Sequence, residues 1–305
     1  MLVSATKLLQ HARAQGYAVP AFNVNNLETL KAVMTAAENH RSPVIVQTSE
    51  GAIRYAGMSY LVAMVRVAAS GRLPVVLHLD HGKDLHLIRL AIRSGYTSVM
   101  FDGSTLPFRD NVKKTKQVVR WARSRHVSVE AEIGALSGIE DLVSVAERDA
   151  VLTDPEQADD FAAQTGCDAL AVAIGTRHGA FKFKGKTHLD FERLKRIAAR
   201  VRLPLVLHGA SGVLEDVKHL AEYYGASLGE ARGVLDQDIK RAIRLGVAKV
   251  NIDTDLRIAF SAGIREAVAD LPSVIDPRDL LASATLLMTE VASRKMKLFG
   301  SAARR

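Results

Sequence analysis

The chain has 305 residues, 48% of them hydrophobic but only 5% aromatic, so aliphatic side chains must fill most of its core. A single cysteine, Cys167, excludes an intrachain disulfide and a cysteine-rich metal centre, so a metal here would fall to histidines and carboxylates. The formal charge of +8 is spread along the chain with few aromatics between the basic residues. That pattern suits a solvated surface or a field that attracts small anions, and makes a nucleic-acid-binding protein without catalysis a remote alternative.

No apolar run reaches the ~18 residues of a membrane span. The N-terminal MLVSATKLLQHARAQGY lacks the charged start and apolar block of a secretion signal, so a cytoplasmic protein with no membrane partner is expected.

Taken in order, the β-rich runs are VPAFNV (19–24), PVIVQT (43–48), LPVVLHL (73–79), TSVMF (97–101), VSVEAEI (127–133), DALAVAI (168–174), LPLVLH (203–208) and VAKVNI (247–252). Most are nearly continuous apolar stretches, as in parallel strands covered on both sides. Helical patterns fill the gaps. Val112, Val118, Val119 and Ala122 share a face in 108–125, and Phe191, Leu194, Ile197 and Val201 share one in 190–201 after Asp190 as N-cap. The segment 278–299 places Leu280, Leu281, Ala284, Leu287, Met288 and Val291 at helical spacing, a C-terminal helical extension. Eight strand–helix units predict an α/β fold, a single (β/α)₈ TIM barrel over 1–305. A doubly wound sheet would normally carry a glycine fingerprint after its first strand, and AFNVNN has none. The stretches 134–153 and 209–236 read as long active-site loops.

A barrel builds its active site at the C-terminal ends of its strands. Just past the runs stand Asn23 and Asn25, Ser49, Asp80 and His81, Asp102, Glu132, His178, His208 to Ser211, and Asn251 to Thr254. Three of the ten histidines, His81, His178 and His208, fall at the ends of runs three, six and seven, where only barrel closure brings them together. Imidazole suits zinc, and a catalytic zinc keeps three protein ligands and an open position; cobalt or iron would fit the same donors. His78 shares a face with Asp80 and reads as a supporting or core residue. The glycine-led turn Gly209-Ala210-Ser211 and the Asn251–Asp255 entry to the last barrel helix suit a phosphate. The segment 179–187 imitates a nucleotide-binding loop but has one residue too many between its glycine and Gly-Lys-Thr, and is rejected.

The ordered runs LHLDHG (77–82), AEIG (131–134) followed by SGIED, AIGTRHGAFK (173–182), LVLHGASG (205–212) and KVNIDTDLR (249–257) resemble the class II fructose-bisphosphate aldolases over essentially the whole chain. The resemblance implies a zinc-dependent lyase of glycolysis and gluconeogenesis that reversibly cleaves fructose 1,6-bisphosphate to dihydroxyacetone phosphate and glyceraldehyde 3-phosphate. Tagatose 1,6-bisphosphate is the alternative substrate. It further implies zinc on His81, His178 and His208, Asp80 as the acid–base at the C4 hydroxyl, and Glu140 as the loop residue moving the dihydroxyacetone phosphate proton. Asp102 and Glu132 match positions for a second divalent metal or the displaced ion. Gly179, Gly209, Ala210, Ser211, Asn251, Ile252, Asp253 and Thr254 match segments holding dihydroxyacetone phosphate, and Ser49 and Asn23 match positions near the aldehyde. Lys182, Lys184 and Arg257 are candidate phosphate cations; a monovalent cation (Na⁺ or K⁺) and a homodimer or homotetramer are family expectations. Arg177, Lys83 and Ile252 depart from the family pattern without removing a ligand or an acid–base group. A Schiff-base mechanism on Lys249, inside the last run, is the competing chemistry.

Overall fold

Three prolines, Pro43, Pro74 and Pro204, stand immediately before strands β2 (Val44–Ser49), β3 (Val75–Asp80) and β9 (Leu205–Leu207) in the computed structural model. A proline lacks the N–H that a ladder needs, which is why these strands begin one or two residues later than the apolar runs. The structure describes residues 1–135, 151–176 and 189–304, and the backbone alone of 138–140 and 143–145.

The remaining barrel strands are β1 (Val19–Asn23), β4 (Ser98–Phe101), β5 (Ser128–Ile133), β8 (Ala169–Val172) and β10 (Val247–Ile252). All eight pair in parallel and close in the order β1-β10-β9-β8-β5-β4-β3-β2. Closure rules out the doubly wound alternative. β6 (Gly138–Glu140) and β7 (Val143–Val145) form a separate antiparallel hairpin within the expected long loop 134–153.

Helices α1 (Ala5–Gln15), α2 (Leu27–His40), α3 (Glu50–Ala56), α4 (Met58–Ala68), α5 (Leu85–Ser94), α6 (Phe108–Arg123), α7 (Pro155–Thr165) and α8 (Phe191–Arg200) precede β9 or lie between the earlier strands. Asp190 caps α8 as expected, accepting from the Arg193 N–H. After β9 come α9 (Glu215–Tyr223), α10 (Asp236–Arg244), α11 (Thr254–Asp270), α12 (Pro277–Leu280) and α13 (Ala282–Leu298). Two expectations change here. The stretch 209–236 contains α9, whose buried Val217 and Ala221 give it an apolar face toward α11. The C-terminal extension is two helices, because Asp276 caps and Pro277 starts a short α12 that ends before α13.

Strand alternation sends one set of side chains outward into an aliphatic shell under the helices, including Leu77, Leu79, Val99, Val129, Ala131 and Leu207. The other set enters the barrel. At its N-terminal end these are small and apolar, and α1 lays Ala5, Leu9 and Ala12 across Ile45, Val76, Ala171, Val206 and Ala248 as a plug. The Ala5 N–H donates to Ser128 Oγ at 3.1 Å and Thr6 Oγ1 to Asp168 Oδ1 at 2.9 Å, fixing the plug to β5 and the start of β8. At the C-terminal end the inward residues are polar, and the barrel opens there. Among the described residues no helix is long and apolar enough to cross a membrane.

Candidate active site

On β3, alternation points Val76, His78 and Asp80 into the barrel, and the chain then turns sharply. His81 takes a left-handed backbone (φ 47°), a conformation unfavourable for a residue with a side chain. Gly82 follows because a Cβ there would lie 2.6 Å from the Met100 carbonyl oxygen. The turn is fixed when the Asp102 N–H donates to the Gly82 carbonyl at 2.8 Å. It swings the His81 ring over the barrel mouth beside Asp80.

The Asp80 carboxylate is 1% exposed and held by three amides. Asn23 Nδ2 donates to Oδ2 at 2.9 Å, Gln47 Nε2 to Oδ2 at 3.2 Å and Asn251 Nδ2 to Oδ1 at 3.2 Å. Gln47 Nε2 also donates to Asn23 Oδ1 at 2.7 Å, so three strands lock one carboxylate. Burial pushes its pKa up, but the imidazole charges of His81 and His208 and the Lys249 ammonium outweigh that and leave it below the ordinary range. It is an ionised base in waiting.

His81 and His208 each use one nitrogen on a carboxylate. His81 Nδ1 lies 3.0 Å from Asp102 Oδ2, and His208 Nε2 lies 2.8 Å from Glu130 Oε1. Their other nitrogens, His81 Nε2 and His208 Nδ1, face each other at 2.9 Å. A ring whose far nitrogen donates to a carboxylate is the usual form of a histidine metal ligand. Donor atoms of Asp80, His81 and His208 lie within 4.8 Å of one another. Burial disfavours the His81 imidazolium, yet Asp80, the Asp102 hydrogen bond and Glu132 push its pKa up to about 10. A spot that draws a proton this strongly suits a cation equally well. Burial pushes the His208 pKa down, against its bond to Glu130. The donor set therefore fits a divalent metal.

His81, Asp102 and Glu132 make a second group within the same reach. Among the described residues, Glu132 Oε2 is buried with no hydrogen-bond partner, and burial together with Asp102 raises its pKa well above the carboxylate range. The two groups need opposite nitrogens of the His81 ring. The second requires Nδ1, which is engaged with Asp102, whose other oxygen accepts from Ser104 Oγ at 2.7 Å.

Around the mouth, Ser49 caps α3, accepting from the Ala52 N–H at 3.1 Å. Gly209 (φ 59°) and Val213 (φ 49°) bend the 209–213 turn, Ala210 is buried, and Ser211 Oγ accepts from the Asp253 N–H at 3.4 Å. Asp253 and Thr254 begin α11, and Asp253 Oδ1 accepts from Arg257 Nε at 2.8 Å. Ile252 turns its side chain into the aliphatic shell, which leaves only its backbone on the mouth side. A cavity of about 440 Å³ lies between α2, α3 and α11, lined among others by Asn23, Asn25, Tyr55, Asp253 and Arg257. Lys83 Nζ, half exposed, stands 3.9 Å from Asp102. His78 is buried with Nδ1 2.8 Å from Ser98 Oγ. Arg177, His178, Gly179, Lys182, Lys184, the rejected 179–187 loop and the Glu140 side chain lie outside the described residues. Gln47 and Glu130 are site residues that the end-of-strand reading missed; both sit one step deeper, on the inward face of their strands.

Buried histidines and a locked carboxylate at the C-terminal mouth of a closed eight-stranded barrel define a (β/α)₈-barrel enzyme whose donor set suits a divalent cation. The chain matches the family described as Fructose-bisphosphate aldolase class-II over residues 3–304. It is 49% identical over 304 residues to a fructose-bisphosphate aldolase of Thermus caldophilus, covering 100% of both chains. It is 44% identical to that of Helicobacter pylori (strain J99), covering 99% of both. Its fold superposes on the YdjI aldolase of Escherichia coli K12 with a TM-score of 0.80 at 33% identity, over 100% of this chain and 99% of the other. The chain belongs to the class II fructose-bisphosphate aldolase family, whose members are metal-dependent aldehyde-lyases.

Proposed function

We propose that the chain, as one barrel domain, reversibly cleaves fructose 1,6-bisphosphate to dihydroxyacetone phosphate and glyceraldehyde 3-phosphate, with zinc held by His81, His178 and His208. The observation that carries this reading is the facing pair of His81 Nε2 and His208 Nδ1, 2.9 Å apart, beside the Asp80 carboxylate. Bound zinc supplies a Lewis acid that lowers the energy of charge developing on the ketose oxygens. Asp80, ionised and aimed by Asn23, Gln47 and Asn251, takes the C4 hydroxyl proton in cleavage and returns it to the aldehyde oxygen in condensation. Glu140 moves the proton at the carbon next to the dihydroxyacetone phosphate carbonyl. The 209–213 turn and the start of α11, with Lys182 from the preceding loop, bind the phosphate through backbone N–H groups and charge.

The matched relatives are named fructose-bisphosphate aldolases, which favours fructose over the tagatose epimer. The Asp102–Glu132 group is a candidate second divalent site, and a monovalent cation near the phosphate loops, a homodimer or homotetramer and a cytoplasmic glycolytic role complete the proposal. Against Schiff-base chemistry, Lys249 Nζ is 1% exposed and bound to Glu130 at 2.8 Å, so it is not free to attack a carbonyl.

The test is triose phosphate release from fructose and tagatose bisphosphates at equal concentration, before and after EDTA and after zinc is restored. Activity lost to EDTA and regained with zinc is expected, with fructose preferred. Full activity without metal together with borohydride trapping of substrate overturns the metal reading, and a large tagatose preference overturns the substrate.

A further inference from the structure

Glu130 points into the barrel from β5, 2% exposed, in the layer beneath the histidines. Both its oxygens are taken. Oε2 accepts from Lys249 Nζ at 2.8 Å, and Oε1 lies 2.8 Å from His208 Nε2. A buried carboxylate is tolerated only when paired and fully hydrogen-bonded, and the ammonium on β10 supplies that. Lys249 Nζ can only donate and occupies Oε2, so Oε1 is the acceptor presented to His208, and His208 Nε2 is the N–H donor. The lone pair of His208 then sits on Nδ1, the nitrogen facing His81. Asp102 accepts in the same way from His81 through the opposite nitrogen, so Nε2 is the atom that would turn a lone pair to a bound cation.

We infer that Glu130, anchored by Lys249, is the positioning residue that fixes the tautomer and orientation of His208 for metal binding. The inference rests on His208 being a ligand, as proposed above. Lys249 thereby has a part in the site with no covalent chemistry: it decides which atom of Glu130 faces which neighbour. In Glu130→Gln, Lys249, a pure donor, would claim the amide oxygen and turn the amide NH₂ toward His208 Nε2. That placement demands the wrong tautomer. Adding Lys249→Met releases the amide, so its oxygen can turn back to His208.

The experiment measures zinc affinity by competition with a chromophoric chelator, and the visible spectrum after cobalt substitution, for wild type, Glu130→Gln, Glu130→Gln/Lys249→Met and His208→Ala, each checked for fold by circular dichroism. Glu130→Gln should bind zinc about 10–100-fold more weakly and shift the cobalt bands, with the double variant recovering much of the loss. A purely structural role would give no such recovery. Wild-type affinity and spectrum in Glu130→Gln, or a double variant no better than the single, overturns the inference. The double variant buries no charge and serves if the single does not fold. It should then bind within about tenfold of wild type, and a loss as deep as that of His208→Ala overturns the inference. Unchanged zinc binding in His208→Ala instead overturns the ligand assignment itself.

Discussion

Lys295 Nζ lies 3.1 Å from Asp255 Oδ2, and both side chains are sealed from solvent. The pair joins α13 to the first turn of α11, and Asp255 Oδ2 also accepts from the Gly212 N–H at 2.9 Å. A Cβ at Gly212 would stand 2.7 Å from the Lys295 nitrogen, so a larger residue there would push against this pair. The C-terminal helix thus holds the turn proposed to carry phosphate. Lys295→Met would leave Asp255 buried with its charge uncompensated, a loss of about 3–5 kcal/mol. Urea denaturation should show a lower midpoint, and the Michaelis constant for fructose 1,6-bisphosphate should rise; an unchanged midpoint would mean that the pair contributes nothing net.

Gln47 has no group that could react, yet it touches both Asn23 and Asp80. Gln47→Leu removes a hydrogen bond to a charged acceptor, worth about 1.5–3 kcal/mol. If Asp80 must be aimed for catalysis, kcat/KM should fall about 10–100-fold with zinc content unchanged. Wild-type turnover in Gln47→Leu would show that Asn23 and Asn251 suffice.

Asp80 and Glu140 are assigned to different protons, and the two can be separated. Hydrogen exchange between water and the carbon acid of dihydroxyacetone phosphate needs no aldehyde. Glu140→Ala should slow both that exchange and cleavage, by about 10²–10⁴-fold. Asp80→Ala should lose cleavage and keep exchange. Equal losses of exchange in both variants would remove the division of labour.

Cys167 offers a pH test remote from the site. Burial pushes its thiol pKa up to about 12 from an ordinary 9.0, although the Thr165 hydroxyl, 3.4 Å from the sulfur, opposes this. Above pH 9 the unfolded chain sheds this proton while the native chain keeps it. The unfolded state then binds fewer protons, so stability falls as pH rises from about 9 toward 12, by up to ~1.4 kcal/mol per pH unit. Cys167→Ala should lack that component of the slope in urea titrations at pH 8 to 10.5. The native thiol should also resist alkylation at pH 8; labelling as fast as in urea would contradict the burial.

The barrel was legible because its strands are short apolar runs, several introduced by a proline, each ending in polar residues that cannot remain in the aliphatic shell. Asp80, His81, Asp102 and His208 were found by that rule. Glu130 and Gln47 escaped it because they lie inside their runs. The signal was present in VSVEAEI, where Ser128, Glu130 and Glu132 share one face, but a polar barrel interior makes sense only once closure is known. Helix α9 was hidden for another reason: apart from Val217, Leu220 and Ala221 it is nearly all polar, and glycine-bearing turns flank it. The break between α12 and α13 falls at Leu281, beside Leu280, where apolar continuity disguises it. Only the Asp276-Pro277 start marks it.

The plug at the base of the barrel has a consequence for the order of assembly. Residues 5–15 are synthesised long before the last barrel strand, yet the surface they cover includes Ala248, and β1 pairs in register with β10 from Val19↔Lys249 onward. Both wait for the last barrel strand to leave the ribosome. Contacts so distant in sequence close late and together. A chain halted before residue 247 therefore emerges with α1 unseated and the edges of β1 and β9 unpaired, open to association with other chains.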